Sequence, residues 1–271
     1  MGRLKDKYNA IVHGISSKGI APAFDNTHVG FSAAALPVNT HLAQTVDYGE
    51  KPRVLNRGNK HVACVLLLDT SGTMQGEPLE QLKRALETFR ISQLSDPVAN
   101  VCIDVCVVAF DDEARVLSPF CPLCDFVVPR LEAGGMTNLQ SGISTAYAQI
   151  KKQMKVYGEN GIDMAVPWIL LLTDGMPNVG DTEEAIRFVK EKEGHLPKPR
   201  FFLYGIGTGN YDRQLMMRLC APGRAWEATI ESFSGMFDWV SQSFSQISRS
   251  LDDMLLAPLP LPPGVKALPD R

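Results

Sequence analysis

Val62-Ala63-Cys64-Val65-Leu66-Leu67-Leu68-Asp69-Thr70-Ser71-Gly72-Thr73 is a run of seven apolar residues that stops at a carboxylate, followed by three hydroxyls and a glycine. A short apolar run without alternation suits a strand buried on both faces, as in the middle of a parallel sheet. Beyond Pro78, Leu79, Leu82, Leu86 and Phe89 form a helical stripe. A carboxylate and several hydroxyls therefore sit where a central strand hands the chain to a loop, which is where open α/β sheets bind ligands.

Working outward, the same alternation repeats. Val101 to Phe110 is a second apolar run, interrupted by Asp104, and places Cys102 and Cys106 on one face of a strand. Arg115 to Leu117 is expected as a short antiparallel edge. Leu139, Ile143, Ala146, Tyr147, Ile150 and Met154 have helical spacing, and Trp168 to Leu172 is a third buried strand. Asp181 with Glu184 reads as a capping box opening another helix. Phe201 to Tyr204 and Ala225 to Thr229 are further strands, with a short helix over Tyr211 to Cys220 between them. Phe233, Phe237, Val240, Phe244, Ile247, Leu251 and Met254 stripe a last long helix. The expected fold is α/β: a doubly wound, mainly parallel sheet with helices on both faces and one antiparallel edge strand.

The chain has 271 residues, 45% hydrophobic and 21% charged, which supports a substantial core. A net charge of -3 provides no basic field for nucleic acid, so no nucleic-acid partner is expected. No apolar run reaches the ~18 residues of a membrane span. Met1 to Lys7 leads into no hydrophobic stretch, so no secretory signal is expected, and Asp6 in place of Ser or Thr weakens the myristoylation pattern that Gly2 would begin. Six cysteines spread through apolar runs read as reduced thiols of a cytoplasmic protein. Residues 1–58, punctuated by glycine and proline, read as an N-terminal extension. Residues 59–256 read as the α/β domain with its C-terminal helix, and residues 257–271 as a Pro-rich tail.

Three loops carry hard oxygen donors: Asp69 to Thr73, Gly134 to Asn138, and Thr173 to Gly175. If their strands are neighbours, the loops converge. Two carboxylates and three hydroxyls suit Mg²⁺, Mn²⁺ or Ca²⁺ and not a soft metal. The pattern Asp-x-Ser-x-Thr, then Gly-x-Thr, then Thr-Asp-Gly resembles the metal-ion-dependent adhesion site of von Willebrand factor A (vWA) domains, with Thr73 in place of the commoner serine. The likeness covers about Lys60 to Ile230. It implies that Ser71 and Thr73 bind the metal directly and that Asp69 does so directly or through water. Thr137 would bind in the engaged state, and Asp174 would hold a coordinating water. It also implies a non-enzymatic module whose metal accepts an Asp or Glu from a partner protein. More loosely, Leu-Leu-Leu-Asp-Thr-Ser-Gly-Thr-Met-Gln-Gly-Glu-Pro resembles the intracellular bacterial TerY-like branch linked to tellurium resistance. That likeness implies a stress or signalling system with kinase or phosphatase-like partners.

Other readings fit these residues less well. Asp69 and the hydroxyls could merely cap the next helix, but three matching loops exceed what a cap requires. A metal-dependent phosphatase-like hydrolase would use Asp69 as nucleophile, yet Ser71 stands where its second aspartate, the general acid, belongs. Gly205-Ile206-Gly207-Thr208-Gly209 lacks the last glycine of a dinucleotide fingerprint, and no P-loop lysine follows it. Cys121-Pro122-Leu123-Cys124 lacks the second ligand pair of a zinc site.

Overall fold

The computed structural model describes residues 59–92, 99–249 and 259–269. The expectations for residues 1–58 and for Leu251 and Met254 lie outside them. In chain order the elements are β1 (Val62–Asp69), α1 (Glu77–Ser92), α2 (Ala99–Cys102), β2 (Ile103–Phe110), β3 (Ala114–Pro122), α3 (Leu139–Asn160) and β4 (Trp168–Thr173). They continue with α4 (Thr182–Glu193), β5 (Phe202–Gly207), α5 (Arg213–Leu219), β6 (Ala225–Ala228), α6 (Phe233–Arg249) and β7 (Val265–Ala267). One sheet runs in the order β3-β2-β1-β4-β5-β6-β7. The five inner strands are parallel, and β3 and β7 are antiparallel edges.

The period of two along each strand divides the core. Cys64, Leu66 and Leu68 of β1 with Leu170 and Leu172 of β4 face α1 and α6. Val65, Leu67, Ile169 and Leu171 face α3, α4 and α5. Both faces are covered, which is why β1, β2 and β4 are buried along their whole length and apolar except for Asp69, Asp104 and Thr173. Gly205 and Gly207 lie within β5. A Cβ on Gly205 would stand 2.1 Å from Met216 Sδ, and one on Gly207 2.2 Å from Tyr211 Cδ2. The Gly-x-Gly pattern is accounted for by α5 and the segment before it packing close on β5.

Three local expectations differ. Cys102 ends α2 and is not on β2, so only Cys106 belongs to the strand. β3 runs nine residues, past Pro119 to Pro122, because an edge tolerates proline and the register irregularities seen opposite Val105, Val107 and Val108. Part of the Pro-rich stretch is β7, which pairs Val265 to Ala267 with Ala228 to Trp226. Trp239 Nε1 donates to the Leu259 carbonyl at 2.9 Å, tying this segment to α6.

The capping box at α4 has an added member. Asp181 Oδ1 accepts from Glu184 N at 2.9 Å as expected. The return bond passes through Gln140 of α3, whose Oε1 accepts from Asp181 N while its Nε2 donates to Glu184. The start of α4 is thereby fastened to the start of α3.

Candidate metal centre

The chain leaves β1 for β2 on one side, while β4 and β5 extend the sheet on the other. The winding direction therefore reverses between β1 and β4, and a crevice opens at their carboxyl ends. Asp69 ends β1, and the pairing of Leu68 with Leu172 brings it beside Thr173, the last residue of β4.

Backbone bonds fasten the three loops around that crevice. Gly72 N donates to the Gly135 carbonyl at 3.1 Å, and Gly134 N to the Thr70 carbonyl at 2.9 Å. Thr137 N donates to Asn178 Oδ1 at 2.9 Å, and Asn178 N returns to the Thr137 carbonyl at 3.2 Å. Asp112 supports the second loop from below: its Oδ1 accepts from Met136 N at 3.0 Å and its carbonyl from Asn138 Nδ2 at 3.0 Å. Gly135 sits directly over that carboxylate with φ of 74°, so a side chain there would be strained and would meet Asp112 Oδ2 at 2.5 Å.

All five expected residues meet at this point. A Cβ built on Gly175 would lie 3.3 Å from Thr73 Oγ1, 3.4 Å from Thr137 Oγ1 and 3.6 Å from Asp69 Oδ2, oxygens of the first two loops gathered around a residue of the third. Ser71 Oγ lies 3.1 Å from Thr73 Oγ1, and Thr73 Oγ1 donates to Asp174 Oδ1 at 2.8 Å. Asp69, Ser71, Thr137 and Asp174 are buried, while Thr73 is exposed and opens the cluster to solvent. Burial raises the Asp69 carboxyl above its usual range. Hydrogen bonds from Ser71 and Thr173 oppose that rise, and the neighbouring Asp174 charge adds to it. Asp174 is raised chiefly by burial, against the Thr73 hydroxyl. The donors are thus oxygens, two of them carboxylates held up by desolvation and met only by neutral hydroxyls and amides. That set fits a hard divalent cation.

Sequence reasoning assigned no role to several supporting residues. Thr173 Oγ1 donates to Asp69 Oδ2 at 2.5 Å and accepts from Gly175 N at 3.3 Å, orienting the carboxylate. Asn178 and Asp112 hold the second loop. Thr173 lies within a quoted motif, but nothing in the sequence signals Asn178 or Asp112, because their partners are 41 and 24 residues away.

Residues 64–176 match the family model described as the von Willebrand factor type A domain. Domains of that family are generally non-catalytic protein-interaction modules that often use a metal at such a site. The Escherichia coli (strain K12) protein YfbK, itself described as uncharacterized, is 26% identical over 178 residues, covering 63% of this chain and 28% of YfbK. The PilB minor pilin of Streptococcus sanguinis is similar in fold, with a TM-score of 0.52 at 15% identity over 71% of this chain and 63% of the pilin. A von Willebrand factor type A structure from Catenulispora acidiphila has a TM-score of 0.49 at 18% identity over 68% of this chain and 42% of that one. This chain thus spans less than two thirds of the length of each relative.

Proposed function

We propose that this chain holds a divalent cation, Mg²⁺, Mn²⁺ or Ca²⁺, with Asp69, Ser71, Thr73, Thr137 and Asp174, and through it binds an Asp or Glu of a partner protein. The observation that carries the reading is the meeting of Thr73, Thr137 and Asp69 oxygens around Gly175. Bound there, a divalent cation supplies a Lewis-acid position at which an external carboxylate can replace water. Asp69 and Asp174 only just balance two positive charges and the hydroxyls add none, so a further anion is favoured. Asp69 is oriented by Ser71 N and Thr173, and Thr73 faces the solvent from which a partner arrives.

The finer reading follows the TerY-like resemblance. The domain is taken as residues 59–256, with residues 1–58 an extension. Its setting is a cytoplasmic bacterial stress or signalling system, its partners are kinase or phosphatase-like proteins, and it has no catalytic activity of its own. Manganese titration by calorimetry tests the core of the proposal: wild type binds, and Asp69→Ala does not while remaining folded. Thr137→Ala should weaken a captured partner more than it weakens the metal, since the other four ligands remain. Partner binding unchanged by chelator would overturn the reading. So would phosphomonoester turnover that depends on Asp69, which would promote the phosphatase-like alternative.

A further inference from the structure

The surface around these oxygens is apolar on two sides. Among the described residues, large hydrophobic side chains with substantial exposure are few, and two of them flank the cluster: Met136 at 51% and Met176 at 54%. Met136 precedes Thr137, and Met176 follows Gly175. The Thr137 hydroxyl lies 3.4 Å from the position a Cβ on Gly175 would take, so the two methionines branch from neighbouring points on opposite loops. The Met136 backbone is held by its N–H to Asp112 Oδ1 at 3.0 Å, and its loop by Asn178. The charge of the same loops is one-sided. Residues 69–77, 133–138 and 173–181 contain Asp69, Glu77, Asp174 and Asp181 but neither lysine nor arginine, and the nearby Arg130 is paired with Glu132.

We infer that Met136 and Met176 form an apolar collar that reads the side chains next to the captured carboxylate, so that the partner presents an acidic residue flanked within two positions by an apolar one. This rests on the metal-dependent reading above. Without a cation the rim repels an acidic segment, and no protein cation on these loops adds attraction of its own. Affinity beyond the single carboxylate bond must then come from burying apolar surface, and the collar is the apolar surface that adjoins the bond. Methionine is unbranched and polarisable and adapts to differently shaped neighbours. The collar therefore selects apolar character rather than one residue type, and leucine, isoleucine, phenylalanine and methionine serve alike.

The test is selection of random peptides displayed on phage against the full chain loaded with Mn²⁺, eluted with chelator. Wild type should enrich peptides with Asp or Glu beside an apolar residue. The double variant Met136→Gln/Met176→Gln keeps length and exposure but loses the apolar surface. It should bind Mn²⁺ and unfold as wild type does, enrich the acid alone, and bind a wild-type-selected peptide about 100-fold more weakly. The same apolar flanks selected by both proteins would overturn the collar and leave the metal reading intact. Enrichment in wild type without any acidic residue, with Mn²⁺ bound by calorimetry, would overturn the carboxylate reading itself and the collar with it.

Discussion

The two ends of the central strands bury carboxylates in opposite ways. At the amino end, Asp104 of β2 accepts from Tyr157 of α3 and lies 3.0 Å from His61 Nδ1, with all three residues sealed from solvent. At the carboxyl end, Asp69 and Asp174 are met by hydroxyls and amides only, beside an exposed Thr73. The first carboxylate is answered within the protein by a ring that can carry positive charge. The second pair is answered by neutral groups, and burial lifts both carboxyls above their usual range. Under the proposed reading, a buried carboxylate signals a ligand when its partners are polar but uncharged and a path to solvent remains. Burial alone does not make that distinction.

Removing the sealed carboxylate should have the largest effect. Asp104→Ala leaves the Tyr157 hydroxyl and the His61 ring nitrogen without their acceptor, and should cost about 3–5 kcal/mol of stability in urea unfolding. A loss below about 1 kcal/mol would erase the contrast between the two ends. Asp69→Ala should instead cost no stability in chelator and reduce Mn²⁺ affinity at least ~100-fold, about 2.7 kcal/mol. Calorimetry and thermal unfolding on the same sample separate the two outcomes.

Acidity sharpens the comparison further. The folded carboxyls of Asp69 and Asp174 lie above 3.8, so protonation favours the folded state. Their contribution is fully present below the unfolded value and is lost as pH rises through the raised folded values. In chelator, Asp69→Asn escapes that loss. Its melting temperature relative to wild type should therefore climb as pH rises above 3.8, and a constant gap would contradict the charge argument. The smallest effect is expected for Thr173→Val, which keeps the shape but removes the hydroxyl from Asp69. Mn²⁺ affinity should fall about fivefold, the equivalent of one hydrogen bond of about 1 kcal/mol.

The strands and most helices were legible because their signals are local. β1 through Asp69, the stripe of α1 and the Asp181 cap each lie within one stretch of chain. Boundaries slipped where the environment outweighed composition. Cys102 is apolar enough for a strand but belongs to a helical turn, and β3 continues through prolines because it lies at an edge. The residues that converge at the crevice were legible as types and positions, since each lies in a loop close to the end of a buried strand. The residues that orient them were less so. Thr173 reaches Asp69 across 104 residues, and Asn178 reaches Thr137 across 41.

By itself, then, the sequence determined the alternation of strand and helix, the burial of β1, β2 and β4 on both faces, and the oxygen-bearing loops at strand ends. Apolar periodicity and turn chemistry act over a few residues and are written directly in the chain. Only the tertiary structure decided that β1 and β4 are neighbours, that the winding reverses between them, and that oxygens of the other two loops meet around Gly175. It also decided that a Pro-rich stretch contributes β7, and that Asp104 is sealed by His61 and Tyr157 while Asp69 is not. Strand pairing and side-chain partnership across 40 to 100 residues depend on which surfaces pack together, and that is a property of the whole fold.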